Sequence, residues 1–227
     1  MSELLHFSEH TLQEVALVFM AIVYTLRLRW LLKFKAGKER QAATGNGTTP
    51  RKGILYSWGN VAMPWAMEST RTKRMIYAQF VIFHLGVVAA IGLSFVIPYA
   101  PGFLETTGVV PVLQLIIGAA FLVGVYRIIR RVGNKYMRAI STPDDYFSLF
   151  LLTIWFFFAF LSAPNNYAGG EWHLLTYFFL TAFFLIYVPF SKISHYLYYP
   201  ITRYYLGKSM GHRGVYPIKH ASEPKRG

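Results

Sequence analysis

Long apolar runs alternate with short polar connections along this chain. Five runs reach the roughly 20 residues that an α-helix needs to cross about 30 Å of hydrocarbon. They cover about residues 11–32, 75–98, 109–129, 146–163 and 172–194. This pattern predicts five transmembrane helices. Only 15% of the residues are charged and 54% are hydrophobic, which agrees with a membrane protein.

The segments outside these runs are too short for a second folded domain. The longest are the connection 33–73 and the basic tail 196–227. Residues 41–50 of the connection are rich in Gly, Thr and Ala and predict a flexible linker. A separate core would need more chain than either segment offers. We therefore expect an all-α membrane protein, a bundle of five transmembrane helices that forms one domain over 1–227.

The segment from Trp58 to Arg74 mixes tryptophan and methionine with polar residues and ends in a basic cluster. Such a mixture is typical of chain that lies in the headgroup layer of a membrane. Two interpretations are open, a membrane-surface anchor and a docking surface for a cytoplasmic subunit.

The first apolar run predicts a retained helix rather than a cleaved secretion signal. The ten residues before it include Glu3 and Glu9 and no basic side chain, whereas a signal peptide begins with positive charge. Arg27 and Arg29 follow the run as a stop-transfer flank.

The distribution of charge predicts the orientation of the bundle. All 23 lysines and arginines lie on the side of the first connection, the third connection and the C-terminus, and the opposite side carries only glutamates. Since cytoplasmic loops carry the excess of Lys and Arg, the N-terminus is predicted outside and the C-terminus inside the cytoplasmic (inner) membrane. The net charge of +13 then reflects topology and attraction to lipid headgroups, and it does not indicate nucleic acid.

The chain has no cysteine, which excludes disulfides, thiolate metal sites, covalently attached haem and iron-sulfur ligation by this subunit. Any redox centre must be held by histidine or belong to a partner. His84 lies ten residues past Arg74, about 15 Å beyond the basic flank. His195 lies near the cytoplasmic end of the fifth predicted helix. Because the second and fifth helices run in opposite directions, the two histidines can match in depth.

Two neutral imidazoles at one depth on facing helices are what six-coordinate haem b requires, one nitrogen on each axial position of the iron. The apolar side chains that could enclose the porphyrin are Phe80, Val81, Val88, Ile91, Phe184 and Val188. The alternative for each histidine alone is a hydrogen bond to a neighbouring helix. The pairing favours ligation of haem iron by His84 and His195.

His173 shares a helical face with His195 but lies about 33 Å nearer the outside, so it is a candidate ligand of a second haem. The second helix offers no ligand at that depth. This leaves His10, at the outer end of the first helix, as a partner. The alternative is that His10 and His173 are interfacial histidines without iron.

Two motifs, together with the five-helix plan, resemble the cytochrome b gamma subunit of respiratory nitrate reductase. They are Phe83-His84-Leu85-Gly86 and the run Leu185–His195, which contains Pro189-Phe190-Ser191-Lys192. The family includes membrane cytochromes of heterodisulfide-reductase-type and dissimilatory sulfite reductase-associated complexes. The resemblance spans nearly all of the chain, with only these motifs specific. It implies that His84 and His195 hold the haem nearer the cytoplasm.

The resemblance also implies the function of a respiratory electron-transfer subunit. Such a subunit exchanges electrons between menaquinone or ubiquinone and a cytoplasmic iron-sulfur or catalytic subunit, here docked on the basic inner face. Other membrane or extracytoplasmic subunits are possible partners. The family's two further histidines fall at Ser94 and Tyr177 of this chain. The distal haem is therefore either absent or rebuilt from His173 and an unusual partner.

Charge and depth make Arg127 and Lys192 candidates to pair with the haem propionates. Two other classes of protein stay open. One is a small transporter or channel whose polar path includes His84, Gln79 and Gln114. The other is a haem-free subunit that anchors a complex at the membrane.

Overall fold

The computed structural model describes residues 1–34, 37, 39–44, 47–63 and 71–218. These residues form helices and connections and no strand. Among them, the helices long and apolar enough to cross a membrane are α1 (Glu3–Lys33), α3 (Arg74–Tyr99), α4 (Val109–Gly133), α6 (Pro143–Ser162) and α7 (Trp172–Tyr187, extended by a turn to Phe190). Further helices are α2 (Pro50–Gly59), α5 (Lys135–Ala139) and α8 (His195–His212). The prediction of an all-α protein with five spanning helices is confirmed.

The fifth spanning helix ends earlier than the apolar run predicts. Regular α-helix stops at Tyr187, and short 3₁₀ turns follow at Val188–Phe190 and Lys192–Ser194. Pro189 explains the break, because it has no backbone N–H to continue the helical hydrogen bonds. A separate helix, α8, then begins at His195. His195 therefore lies beyond the fifth spanning helix rather than within it.

The contacts between residues group the chain into two compact units. Unit 1 consists of Met1–Leu28 and Ala78–Ser194, and unit 2 consists of Arg29–Tyr77 and His195–Gly227. One domain over 1–227 stays a prediction. The first connection was expected to hold a flexible linker at 41–50 and a segment in the headgroup layer from Trp58 to Arg74, and no structure was predicted for the tail. The described parts of these two segments instead pack on each other as α2 and α8.

Small residues let the helices of unit 1 approach closely, as is common in membrane bundles. Gly86 on α3 faces Ala120 on α4, and a Cβ atom added at Gly86 would lie 2.1 Å from the Ala120 Cβ. Gly124 on α4 similarly faces Thr153 on α6, and a Cβ atom added at Gly124 would lie 2.5 Å from the Thr153 Oγ1. The interior around these contacts is aromatic, with Phe156 fully buried.

The N-terminus and the connection before α7 lie at one end of unit 1. The Ser2 backbone N–H donates to Glu171 Oε1 at 2.7 Å, and the Met1 ammonium lies 3.4 Å from the same oxygen. Hydrogen bonding from Ser2 holds the pKa of Glu171 below its ordinary value of 4.5. Tyr99, at the end of α3, donates to Glu14 at 2.7 Å. The three segments predicted to share one side of the membrane thus meet at one end.

The other end of unit 1 is organised by the first turn of α6. Thr142 and Asp145 form a capping box, with each side chain bonded to the backbone N–H of the other residue. Lys192 Nζ bonds to Asp145 at 2.9 Å and to Thr142 Oγ1 at 2.8 Å. Arg131 donates to Ser141 at 2.6 Å.

Unit 2 is built on the antiparallel contact of α2 with α8. Gly53 lies against Gly207 and Gly211, which are four residues apart and face α2. A Cβ on Gly53 would lie 2.2 Å from the Gly207 carbonyl oxygen, so only glycine allows this approach. At the other end of the contact, Trp58 Nε1 donates to the Pro200 carbonyl at 2.9 Å.

Candidate functional site

The imidazole of His84 is oriented by its own helix. Its Nδ1 lies 2.7 Å from the Phe80 carbonyl oxygen, one turn earlier on α3. A carbonyl only accepts, so Nδ1 carries the proton of this hydrogen bond. In the neutral imidazole the lone pair is then on Nε2, the nitrogen that would bind a metal. In metal-binding histidines, a ring N–H bonded to a backbone carbonyl commonly fixes the orientation of the ring.

The nearest described ring contacts of His84 are with phenylalanines of its own helix. The side chain is half-buried, and its ring lies 4.2 Å from the Phe80 ring, centroid to centroid. Phe83, the preceding residue, contacts the Arg127 guanidinium, which lies 4.9 Å from its ring centroid. The predicted cation is therefore placed beside the histidine motif. Its pairing with a haem propionate stays a prediction.

His195 is the first residue of α8 and is exposed. Its ring lies 6.5 Å from that of Tyr196 in an edge-on arrangement. His84 belongs to unit 1 and His195 to unit 2. Their pairing on one iron stays a prediction.

The helices that carry Ser94 and Tyr177, where the resemblance would place a distal haem, contact each other directly. Tyr177, on α7, is fully buried, and its hydroxyl donates to the Ala90 carbonyl on α3. Ala90 lies one turn before Ser94, and the Gln13 amide donates to the Ser94 carbonyl at 3.0 Å. A porphyrin between Ser94 and Tyr177 would have to separate α3 from α7 and leave buried polar groups unbonded. Haem does not fit between these two residues.

His10 and His173 lie on segments that pack together. His10 belongs to one π-helical turn of α1, Ser8–Leu12, which contacts α7. Its ring lies 4.7 Å from that of His6 and 5.2 Å from that of Tyr99. His173 is the second residue of α7 and is half-buried beside Trp172. Ligation of a second haem by His10 and His173 stays a prediction.

The described residues hold no group of three or more His, Cys, Asp or Glu side chains placed to bind a metal ion. A haem needs only two axial ligands, so this finding bears on other metal centres. Lys192, the second predicted partner of a propionate, is bonded to Asp145 and Thr142. It would have to exchange these partners to bind a haem.

Two buried polar side chains in the π-helical region of α1 were not singled out from the sequence. Glu9 is 2% exposed and Gln13 is 1% exposed. In the part of the chain that is described, neither Glu9 Oε1 nor Gln13 Oε1 has a hydrogen-bond partner. Both share the spacing of three to four residues with the buried Leu5 and Ala16. That spacing is the sequence signal that could have placed Glu9 inside rather than on the outer surface.

Comparison with known proteins gives no match to a family model, a curated protein or a solved structure. The resemblance to the nitrate reductase gamma subunit therefore depends on the two histidine motifs and the five-helix plan, and stays a prediction.

Proposed function

We propose that this chain is a haem b-containing membrane subunit of a respiratory oxidoreductase. It transfers electrons between menaquinone or ubiquinone and a cytoplasmic iron-sulfur or catalytic subunit at the cytoplasmic (inner) membrane. The observation that carries the proposal is His84, held within a spanning helix by its Nδ1–H bond to Phe80 so that Nε2 is the ligating nitrogen. The absence of cysteine makes histidine the redox ligand available to this chain.

In this proposal the haem supplies one-electron chemistry and the protein binds and tunes it. His84 and His195 would hold the haem iron through their imidazole nitrogens. Phe80 orients His84 through its carbonyl and covers the ring with its side chain. Arg127, a cation next to Phe83, would offset the negative charge of the propionates.

The contact between α3 and α7 supports one haem rather than two. Tyr177 joins α7 to α3 at the level where the family places its distal haem. His173 and His10 stay as the alternative ligands of a second haem, and haem content decides between these possibilities.

The test is a dithionite-reduced minus oxidised spectrum of the purified full chain, with haem extracted and counted per polypeptide. We expect a low-spin b-type spectrum and one haem. His84→Ala and His195→Ala should each abolish that spectrum without loss of membrane insertion, since the apolar spans are untouched. His212→Ala is the matched control and should keep it. A full bis-histidine spectrum in either ligand variant would refute the assignment.

A second candidate function, a small transporter or channel, is favoured by Glu9 and Gln13. Buried acceptor oxygens without partners inside a spanning helix are typical of polar pathways. Gln114 contributes less to such a path, because its amide donates to the Phe160 carbonyl at 3.3 Å. A haem-free chain that conducts ions or small solutes in proteoliposomes, and loses the flux in Gln13→Leu, would support this function. A haem-free chain without flux would indicate a membrane anchor.

A further inference from the structure

The whole net charge of the protein lies in unit 2. This unit holds 16 of the 23 lysines and arginines and three of the ten aspartates and glutamates, which accounts for the net charge of +13. Unit 1 has seven residues of each sign and is neutral. The positive charge is therefore concentrated on one small helical unit and is not spread along the spanning helices.

Within unit 2, basic and aromatic side chains form one exposed stripe along the α2–α8 pair. On α2, Arg51, Leu55 and Trp58 share a helical face at spacings of four and three residues. On α8, Tyr204 and Lys208 share a face at a spacing of four residues. The two faces adjoin, because the Trp58 ring lies 6.4 Å from the Tyr204 ring. We call these five residues the basic-aromatic stripe.

The glycine contact determines which face of each helix remains outside. Gly53, Gly207 and Gly211 are buried between α2 and α8. Leu55 is 59% exposed and Trp58 is 43% exposed. The helices are antiparallel, so the Arg51 end of α2 runs beside the Lys208 end of α8. The stripe thus has cations at one end and exposed aromatic rings at the other.

No carboxylate neutralises the stripe among the described residues. Glu39 is the one acidic residue of unit 2 that is described, and both of its oxygens bind Arg213, at 2.9 and 3.4 Å. No ion pair in the described part of the chain involves Arg51 or Lys208. A ligand that carries negative charge and apolar surface together would complement the stripe.

We propose that the basic-aromatic stripe binds the headgroups of anionic phospholipids. Arg51 and Lys208 would bind the phosphates, Trp58 and Tyr204 would lie at headgroup level, and Leu55 would enter the acyl boundary. Unit 2 begins in the last residues of α1 and includes the first residues of α3, so the chain itself tethers it to a membrane surface. An acidic protein surface would complement the positive charge but would offer no apolar contact to the exposed Leu55. This inference goes beyond electron transfer and does not depend on haem.

The test measures lipid binding to the full chain purified in a non-ionic detergent. Phosphatidylglycerol and phosphatidylcholine that carry the same fluorescent acyl chain are titrated separately, and binding is followed by anisotropy. We expect phosphatidylglycerol to bind more tightly, with the difference shrinking as salt is raised. Arg51→Gln combined with Lys208→Gln should weaken phosphatidylglycerol binding about 25-fold, since each cation near a headgroup contributes about fivefold.

The matched control is Arg51→Lys combined with Lys208→Arg, which keeps both charges and should keep the affinity. Leu55→Ser should weaken binding of both lipids, because it removes apolar contact and leaves charge unchanged. Equal affinity for the two lipids, or wild-type affinity in the double Gln variant, would overturn the proposal. The stripe would then be interpreted as a binding surface for a protein. The haem spectrum of the double Gln variant should be unchanged, so this failure is distinct from failure of the haem assignment.

Discussion

Replacing Gly86 by alanine tests whether the histidine motif is packed against a helix or against a cofactor at this position. Gly86 lies two residues after His84, and its Cα faces α4. The added Cβ would lie 2.1 Å from the Ala120 Cβ, where carbon atoms ordinarily stay about 3.5–4.0 Å apart. The helices must therefore separate by roughly 1.5 Å. Neither methyl group can rotate away, because each is fixed directly to the backbone.

Overpacking of this kind costs about 1–3 kcal/mol. Alanine also raises helix propensity over glycine by up to about 1 kcal/mol, and this gain must be removed from the comparison. Gly92 lies on the same helix, and its added Cβ would meet nothing within 4 Å. Gly92→Ala is therefore the matched control. We expect Gly86→Ala to lower the free energy of unfolding by about 1–3 kcal/mol relative to Gly92→Ala.

The clash should be relieved when the opposing methyl group is removed. In Gly86→Ala with Ala120→Gly, one methyl group has moved across the contact, so a double-mutant cycle should give a favourable coupling of about 1–3 kcal/mol. Unfolding of the purified chain in detergent, followed by far-UV circular dichroism during titration with a denaturing detergent, gives the four free energies. Coupling near zero would refute direct packing of α3 on α4 at this position.

Three further predictions concern single interactions. Tyr177→Phe should lower the free energy of unfolding by about 0.5–1.5 kcal/mol in the same titration, because it removes a hydrogen bond between spanning helices, and haem content should not change. The hydrogen bond from Arg213 holds the pKa of Glu39 below its ordinary value of 4.5. This contact therefore stabilises unit 2 at pH values above 4.5, and the stabilisation should be lost as pH falls through the lowered pKa of Glu39 in the folded protein. Amide hydrogen exchange of unit 2, measured from about pH 6 to about pH 3 so that the range includes the titration of glutamate, should show the loss of protection. Arg213→Gln should remove this pH dependence. Lys192→Met breaks the ion pair with Asp145 and should cost less than about 1 kcal/mol, since the ammonium is exposed; an accompanying change in the haem spectrum would show that Lys192 also contacts the haem.

The two candidate ligands differ in how well their positions could be predicted from nearby residues in the sequence. The spacing from Arg74 to His84 predicts its depth in the membrane, and the hydrogen bond to Phe80 is formed within one turn of the same helix. His195 was expected in the fifth spanning helix, because the apolar run continues to residue 194. Pro189 ends the regular helix first, and a second 3₁₀ turn follows at Lys192–Ser194. Hydropathy averaged over a run does not report such a break.

The burial of polar side chains near the N-terminal end of α1 could not be predicted from local sequence. Glu9 was expected on the outer side with the other glutamates, because its segment carries no lysine or arginine. The structure extends α1 to Glu3 and packs its π-helical turn against α7, which buries Glu9 and Gln13. Tyr177 was singled out only as a position where the resemblance places a histidine, and its contact with Ala90 was not predicted. These positions depend on contacts between residues 80 or more apart in sequence, which local patterns do not contain.

The class of protein and the number of spanning helices follow from the sequence alone. Their apolar length is a local property, set by the thickness of hydrocarbon that each helix must cross. The grouping of the N-terminus with the connection before α7 also followed from charge. Only the tertiary structure shows which small residues bring helices together, and that the first connection and the tail form a helix pair through Gly53, Gly207 and Gly211. The reason is steric, since a glycine is required only where another backbone comes close, and that neighbour is far away in the sequence.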